Sequence, residues 1–205
     1  MNTSSQNKEI SVVGIIFTVI VTLGFIWAAL QWLNRYNRPA QLTSEDMRAN
    51  EIQAFKNLRR ISQAQEKYKQ TDRDGDGKKK YAKFFTHLWR CVNIQSEATT
   101  IKLIPKDIAF AVAPSFAIDG YYFINLYSRA LSAKGQTRKL DYEKEWAVAA
   151  IPADPGNTGS LIFIADNSSD IFMKKYTEIP SYYPHDPHSN GWTKIESIKQ
   201  LNYTP

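Results

Sequence analysis

The chain has one cysteine, Cys91, and only three histidines, His87, His185 and His188, among 205 residues. A single thiol excludes an internal disulfide. His185 and His188 share a proline-rich segment, "YYPHDPHSNGW", with no further ligand cluster beside them, so packing and hydrogen bonding are the expected roles rather than zinc binding. Cys91 has no histidine partner in its sequence neighbourhood and is expected to be a packed thiol. No spacing suggests a nucleophile with its base, and the chain is expected not to be an enzyme. Repeats and low-complexity tracts are also absent, and aromatic residues run through the whole length, which excludes a disordered chain.

Charge is missing from one long stretch. Residues 10–33, "ISVVGIIFTVIVTLGFIWAALQWL", carry no ionisable side chain, neither a carboxylate for proton relay nor a histidine for an axial ligand. As one helix they would extend about 36 Å, against a hydrocarbon core of about 30 Å. The expectation is a single transmembrane helix that is not cleaved, since no Ala-x-Ala site follows it. Trp27 and Trp32 lie toward its C-terminal end, where indoles favour the membrane interface. Residues 1–9 form a polar tail and residues 34–42 a linker broken by Pro39. Arg35, Arg38 and Arg48 follow the apolar run and by the positive-inside bias favour a cytoplasmic domain, although long domains are translocated despite such flanks.

The formal net charge of +6 belongs to the rest of the chain, because Lys8 and Glu9 cancel. Such an excess suits anionic headgroups or an acidic partner, or is simply a soluble surface; a nucleic-acid partner is not expected. Thr43 and Asp46 are spaced as a helix cap, and Met47, Ile52, Phe55, Leu58, Ile61, Ala64 and Tyr68 then recur on one stripe. A second amphipathic helix is predicted through Tyr81, Phe84, Phe85, Leu88 and Val92, and residues 99–114 fit a strand or a helix equally. Beyond them the period changes to two. "GYYFINLYS", "EWAVAAIP", "SLIFIAD" and "DIFMKKY" read as strands, the last two joined by a tight "DNSS" turn. Helices first and strands after predict an α+β domain over residues 43–178, with amphipathic helix packed on a small antiparallel β-sheet. Residues 179–205 are predicted to wrap the surface as a proline- and aromatic-rich tail before a short helix near residues 194–201.

One stretch has the look of an ion site. In "QTDRDGDGKKK", Asp72, Asp74 and Asp76 followed by Gly77 match the first, third, fifth and sixth places of a calcium loop. The twelfth place is Lys83 rather than a bidentate glutamate, and Lys78, Lys79 and Lys80 repel a cation. The other reading is an Asx-rich turn in which Gly75 or Gly77 supplies the positive φ that ends the helix. No cofactor other than this calcium is expected.

The helix "AFKNLRRISQAQEKYKQTDRDGDG" and the sheet "GYYFINL" with "WAVAAIPADPGNTGSLIFIADNSSDIF" together resemble the type IV pilin and pseudopilin-like proteins over residues 44–176. That resemblance implies a bacterial cell-membrane protein with its domain on the extracytoplasmic side. Pilin precursors carry a glycine-ended leader and then a glutamate at the fifth position. Cutting after Gly14 puts Val19 there, and cutting after Gly24 puts Ala29 there. The polymerising feature is missing, so the expected role is a membrane-anchored accessory subunit that braces a larger complex, whether respiratory or photosynthetic, with the bilayer and other membrane subunits as partners. The alternatives are a component of a type IV filament or secretion apparatus, and a polyanion- or DNA-binding module. Trp27, Trp32, Tyr182, Tyr183 and Trp192 are the candidate interaction residues, as large aromatics at contacts carry much of the binding energy.

Overall fold

The computed structural model describes residues 21–31, 42–132 and 135–203. The chain divides into two units, Met1–Gln41 and Leu42–Pro205.

In the first unit residues 21–31 are helical (α1), and each of them is exposed. This corrects the expectation of a transmembrane helix over residues 10–33. The eleven described helical residues extend about 16 Å, against a hydrocarbon core of about 30 Å. Among the described residues no helix is long and apolar enough to cross a membrane. Residues 10–20, Trp32, Leu33 and the Pro39 hinge lie outside the described residues.

The second unit opens with α2, Ser44–Lys69, whose capping box is the predicted one. The Thr43 hydroxyl accepts from the Asp46 amide, and the Asp46 carboxylate accepts from the Thr43 amide at 3.0 Å. The stripe buries Ala54, Phe55, Leu58, Ile61, Ala64 and Tyr68. The helix stops with Gln70 still right-handed, so neither Gly75 nor Gly77 caps it; their positive φ values of 73° and 85° turn the loop that follows.

The predicted second amphipathic helix is replaced by a 3-10 turn, Phe85–Leu88, and strand β1, Arg90–Val92. The backbone there is already committed elsewhere. The Gln65 amide donates to the Ala82 carbonyl and accepts from its N–H, and the Tyr81 N–H reaches the Tyr142 carbonyl. The Ala82 carbonyl is thereby drawn away from an i→i−4 ladder, and the two N–H groups, which a helix starting here would leave unpaired, are satisfied outside it. Tyr81, Phe85 and Leu88 are still buried, so the apolar spacing is satisfied in another conformation. The ambiguous segment holds both answers: β2, Ala98–Thr100, pairs with β1, and a short helix α3, Lys106–Phe110, follows.

All four predicted strands form. They are β3 (Tyr121–Asn125), β6 (Ala147–Pro152), β7 (Leu161–Asp166) and β8 (Ile171–Lys175). The polar connection after β3 folds as a hairpin of β4 (Ser128–Ala130) and β5 (Thr137–Lys139). The tail supplies β9, Thr193–Ile195, and ends in a 3-10 turn, Ile198–Tyr203. The main sheet is an antiparallel meander in the order β3-β6-β7-β8-β9. It is an α+β domain with strands in the majority.

Both faces of this sheet are covered, which is why β6 and β7 are buried at every position. Tyr121, Phe123, Val148, Ala150, Leu161 and Phe163 share a cluster with the α2 stripe. Residues of opposite parity, Tyr122, Ala149, Ile151, Ile162 and Ile164, meet Tyr183 and Trp192 of the tail. Alternation by two assigns each side chain to its cluster. Each large apolar side chain so buried contributes about 1.5–3 kcal/mol.

Candidate functional site

The acidic loop after α2 is built by its own side chains. The Asp72 carboxylate accepts from the amides of Gly75 at 2.9 Å and Gly77 at 2.8 Å, and Asp76 accepts from the Lys78 amide at 3.0 Å. The loop is tied to the β1–β2 hairpin by the Ile94 amide, which donates to the Asp74 carbonyl at 2.9 Å. One carboxylate oxygen from each of Asp72, Asp74 and Asp76 falls within 4.8 Å of the others, a hard-oxygen set suited in type to calcium.

A cation from the chain itself reaches into this set. The Lys80 ammonium lies 2.9 Å from Asp74 Oδ2 and also contacts Asp76 Oδ2. Its bond to Lys80 holds the Asp76 carboxyl below the usual carboxylate range. For Lys80, burial lowers the pKa, but the bonds to Asp76 and Asp74 outweigh it and hold the ammonium above the ordinary lysine value. Lys78 pairs instead with Glu143 at 2.5 Å. Lys83 reaches over the Phe84 ring at 5.5 Å, so no carboxylate stands at the twelfth place. A divalent ion would have to displace Lys80. The arrangement as it stands is a turn closed by an internal ion pair.

The other sequence-predicted groups scatter. Cys91 is buried, with its sulfur 3.0 Å from the Tyr68 hydroxyl. Burial raises the Tyr68 phenol well above its usual value, and the bond to Cys91 adds to that. His188 is exposed and meets the Phe172 ring edge-on, at 5.3 Å between centroids; His185 is exposed as well. His87 stacks edge-on against Phe84, and burial lowers its pKa despite the charge of Asp74. Among the interaction candidates, Trp27 is 66% exposed and Tyr182 38%, but Tyr183 and Trp192 are at 2% and 7%. The last two are core residues of the second cluster. Trp32 lies outside the described residues.

A partly buried ionic cluster was not anticipated from the sequence. Arg129 donates through Nε to Glu145 at 3.0 Å and through a terminal nitrogen to Asp166 at 2.6 Å, while Arg138 forks onto Glu145. Arg129 also stacks on Tyr183, at 4.4 Å from the ring centroid. The phenol of Tyr183 is raised by burial and further by the charge of Asp166. The cluster joins the β4–β5 hairpin, the end of β7 and the tail. Arg129 and Arg138 are cross-strand partners whose like charges are offset by Glu145 between them, and the sequence carried no signal of this because β4 and β5 were not predicted.

A second buried acid locks the helix to the sheet. Glu51 Oε1 accepts from the Ser160 amide at 2.8 Å, the Ser160 hydroxyl at 2.9 Å and the Leu161 amide at 3.2 Å. One residue earlier, Asn50 donates to the Thr158 carbonyl at 2.9 Å. Gly159 sits beneath the Tyr121 ring, where a Cβ would collide with it.

A family model described as a protein of unknown function (DUF2950) matches residues 39–181, more than half of the chain. No curated protein matches the chain, and no solved structure does.

Proposed function

The chain belongs to the DUF2950 family of proteins of unknown function, and we propose that it is a non-enzymatic structural subunit, attached to a membrane through its apolar N-terminal segment, whose α+β domain braces a larger protein complex. The observation that carries this reading is the surface of α1. Residues 21–31 have no ionisable side chain, yet all are exposed, with Phe25 at 73% and Leu23 at 60%. A helix apolar on every side is stable only in apolar surroundings. On the domain, Phe110, Phe116 and Tyr127 are also exposed, and aromatics of this kind are the residues that anchor protein contacts. The likeness to pilins supports the extracytoplasmic side of a bacterial cell membrane as its location.

The test is to extract membranes in mild detergent, purify the full chain through a C-terminal tag and identify what comes with it by mass spectrometry. A partner protein at fixed stoichiometry is the expected result. Recovery from sheared filaments, together with a new N-terminus after Gly14, would replace this reading with the filament alternative.

A further inference from the structure

The exposed side of α2 is basic along most of its length. Arg48, Lys56, Arg59, Arg60 and Lys67 are all exposed and fall within an arc of about 120° on the helix. From Arg48 to Lys67 the stripe runs about 28 Å in a straight line. Between Arg48 and Lys67 the arc carries one acid, Glu66. Glu45 and Asp46 stay in the first turn, where the helix dipole favours them, and Glu51 is buried on Ser160 and Leu161. Glu66, at the edge of the arc, accepts from the Tyr81 hydroxyl at 3.0 Å. Lys56 stands three and four residues from Arg59 and Arg60, spacings at which like charges oppose helix formation. Beside the stripe runs an open groove lined by Arg59, Lys67, Gln63, Gln70 and the acid Glu66 together with Ser62 and Ser169, whose hydroxyls are 3.1 Å apart. Arg59 is fixed at its rim by stacking on Phe55 and by donating to the Glu196 carbonyl at 2.7 Å.

We propose that this face of α2 docks on the anionic phospholipid headgroups of the membrane to which the chain is attached, with phosphate oxygens taken by the arginines and lysines. A straight row of cations fits a charged plane, and each basic side chain near such a surface adds attraction. No aromatic residue stands on the exposed arc to stack with bases, which argues against single-stranded nucleic acid. The inference rests on the membrane attachment proposed above, and ten residues of chain, 34–43, separate α2 from the apolar run.

The experiment uses the full chain with a fluorophore on Ser115→Cys, an exposed position of the Pro114–Phe116 turn and not on α2; Cys91 is 1% exposed, so labelling is selective. Binding is measured to neutral phosphatidylcholine vesicles and to the same vesicles with phosphatidylglycerol added, at about 0.1 M and about 1 M salt, where the Debye length falls from about 10 to about 3 Å. Phosphatidylglycerol should tighten binding on the order of tenfold or more at the lower salt and not at the higher. The triple variant Lys56→Gln, Arg60→Gln, Lys67→Gln should lose that gain and keep its binding to neutral vesicles. Equal binding to both vesicle types, or duplex DNA bound as tightly as phosphatidylglycerol vesicles, overturns the proposal. Salt-resistant binding to neutral vesicles reports separately on the apolar segment. Its loss with the phosphatidylglycerol gain intact would remove that attachment and leave the α2 face supported.

Discussion

The ammonium of Lys80 lies 2.9 Å from Asp74 Oδ2, inside the carboxylate set that the sequence offers to a calcium ion. Two readings of one loop therefore compete for the same charge. Lys80→Ala should lose about 1 kcal/mol or less of stability without calcium, because the pair is partly exposed. It should also gain calcium affinity relative to the native chain. Thermal melts with and without excess calcium check both, since a ligand specific for the folded state raises the midpoint with its concentration. A native chain whose midpoint rises more with calcium than the variant's would show that Lys80 does not hold the site.

Arg129 is the hub of the partly buried cluster, and Glu145 and Asp166 beside it have side chains only 9% and 8% exposed. Removing one partner of a buried pair leaves a charge without compensation, at a cost of about 3–5 kcal/mol. Arg129→Ala should fall in that range in urea unfolding, and Arg138→Ala, at an exposed position, well below it. Equal losses would deny the hub role.

The same cluster predicts a pH dependence. For Glu145, burial raises the pKa, but Arg138, the Asp141 amide and Arg129 outweigh it and hold the carboxyl below its ordinary value of 4.5. A folded-state pKa below the unfolded one means that the unfolded chain binds more protons, so this stability is present above about pH 4.5 and is lost as pH falls through the lowered value. Urea midpoints across the acid range should drop less in Arg129→Ala, which has already lost part of the effect, than in the native chain.

Glu51 satisfies three donors from Ser160 and Leu161. Glu51→Ala leaves them unmet and should cost about 2–4 kcal/mol, whereas Glu51→Gln keeps an acceptor oxygen and should cost less. Gly159→Ala, which drives a methyl into the Tyr121 ring, should cost about 1–3 kcal/mol by overpacking. Chemical denaturation separates the three variants, and indistinguishable Gln and Ala variants at position 51 would contradict the hydrogen-bond account.

These sites show where sequence reading reached and where it stopped. The Thr43–Asp46 box and the apolar stripe from Phe55 to Tyr68 were legible because local spacing alone sets them. The strands around Phe123, Val148, Phe163 and Phe172 were legible from alternation and β-branched content. Residues 81–92 misled because their apolar spacing suits a helix, while Gln65, remote in sequence, claims the backbone of Ala82. Strands β4, β5 and β9 have three residues each, too few to show a period. Tyr183 and Trp192 looked like contact aromatics because a proline-rich tail carries no sign of the face it will cover. The acidic loop was recognised as a pattern, but the approach of Lys80 to Asp74 is a matter of three-dimensional placement.

The most direct test of the central claim is washing native membranes with high salt and then with alkaline carbonate, followed by mild detergent. Attachment through the apolar N-terminal segment predicts that the full chain stays with the membranes through both washes and leaves only with detergent, accompanied by a partner protein. Release into the salt or carbonate wash, as a free chain, would contradict it.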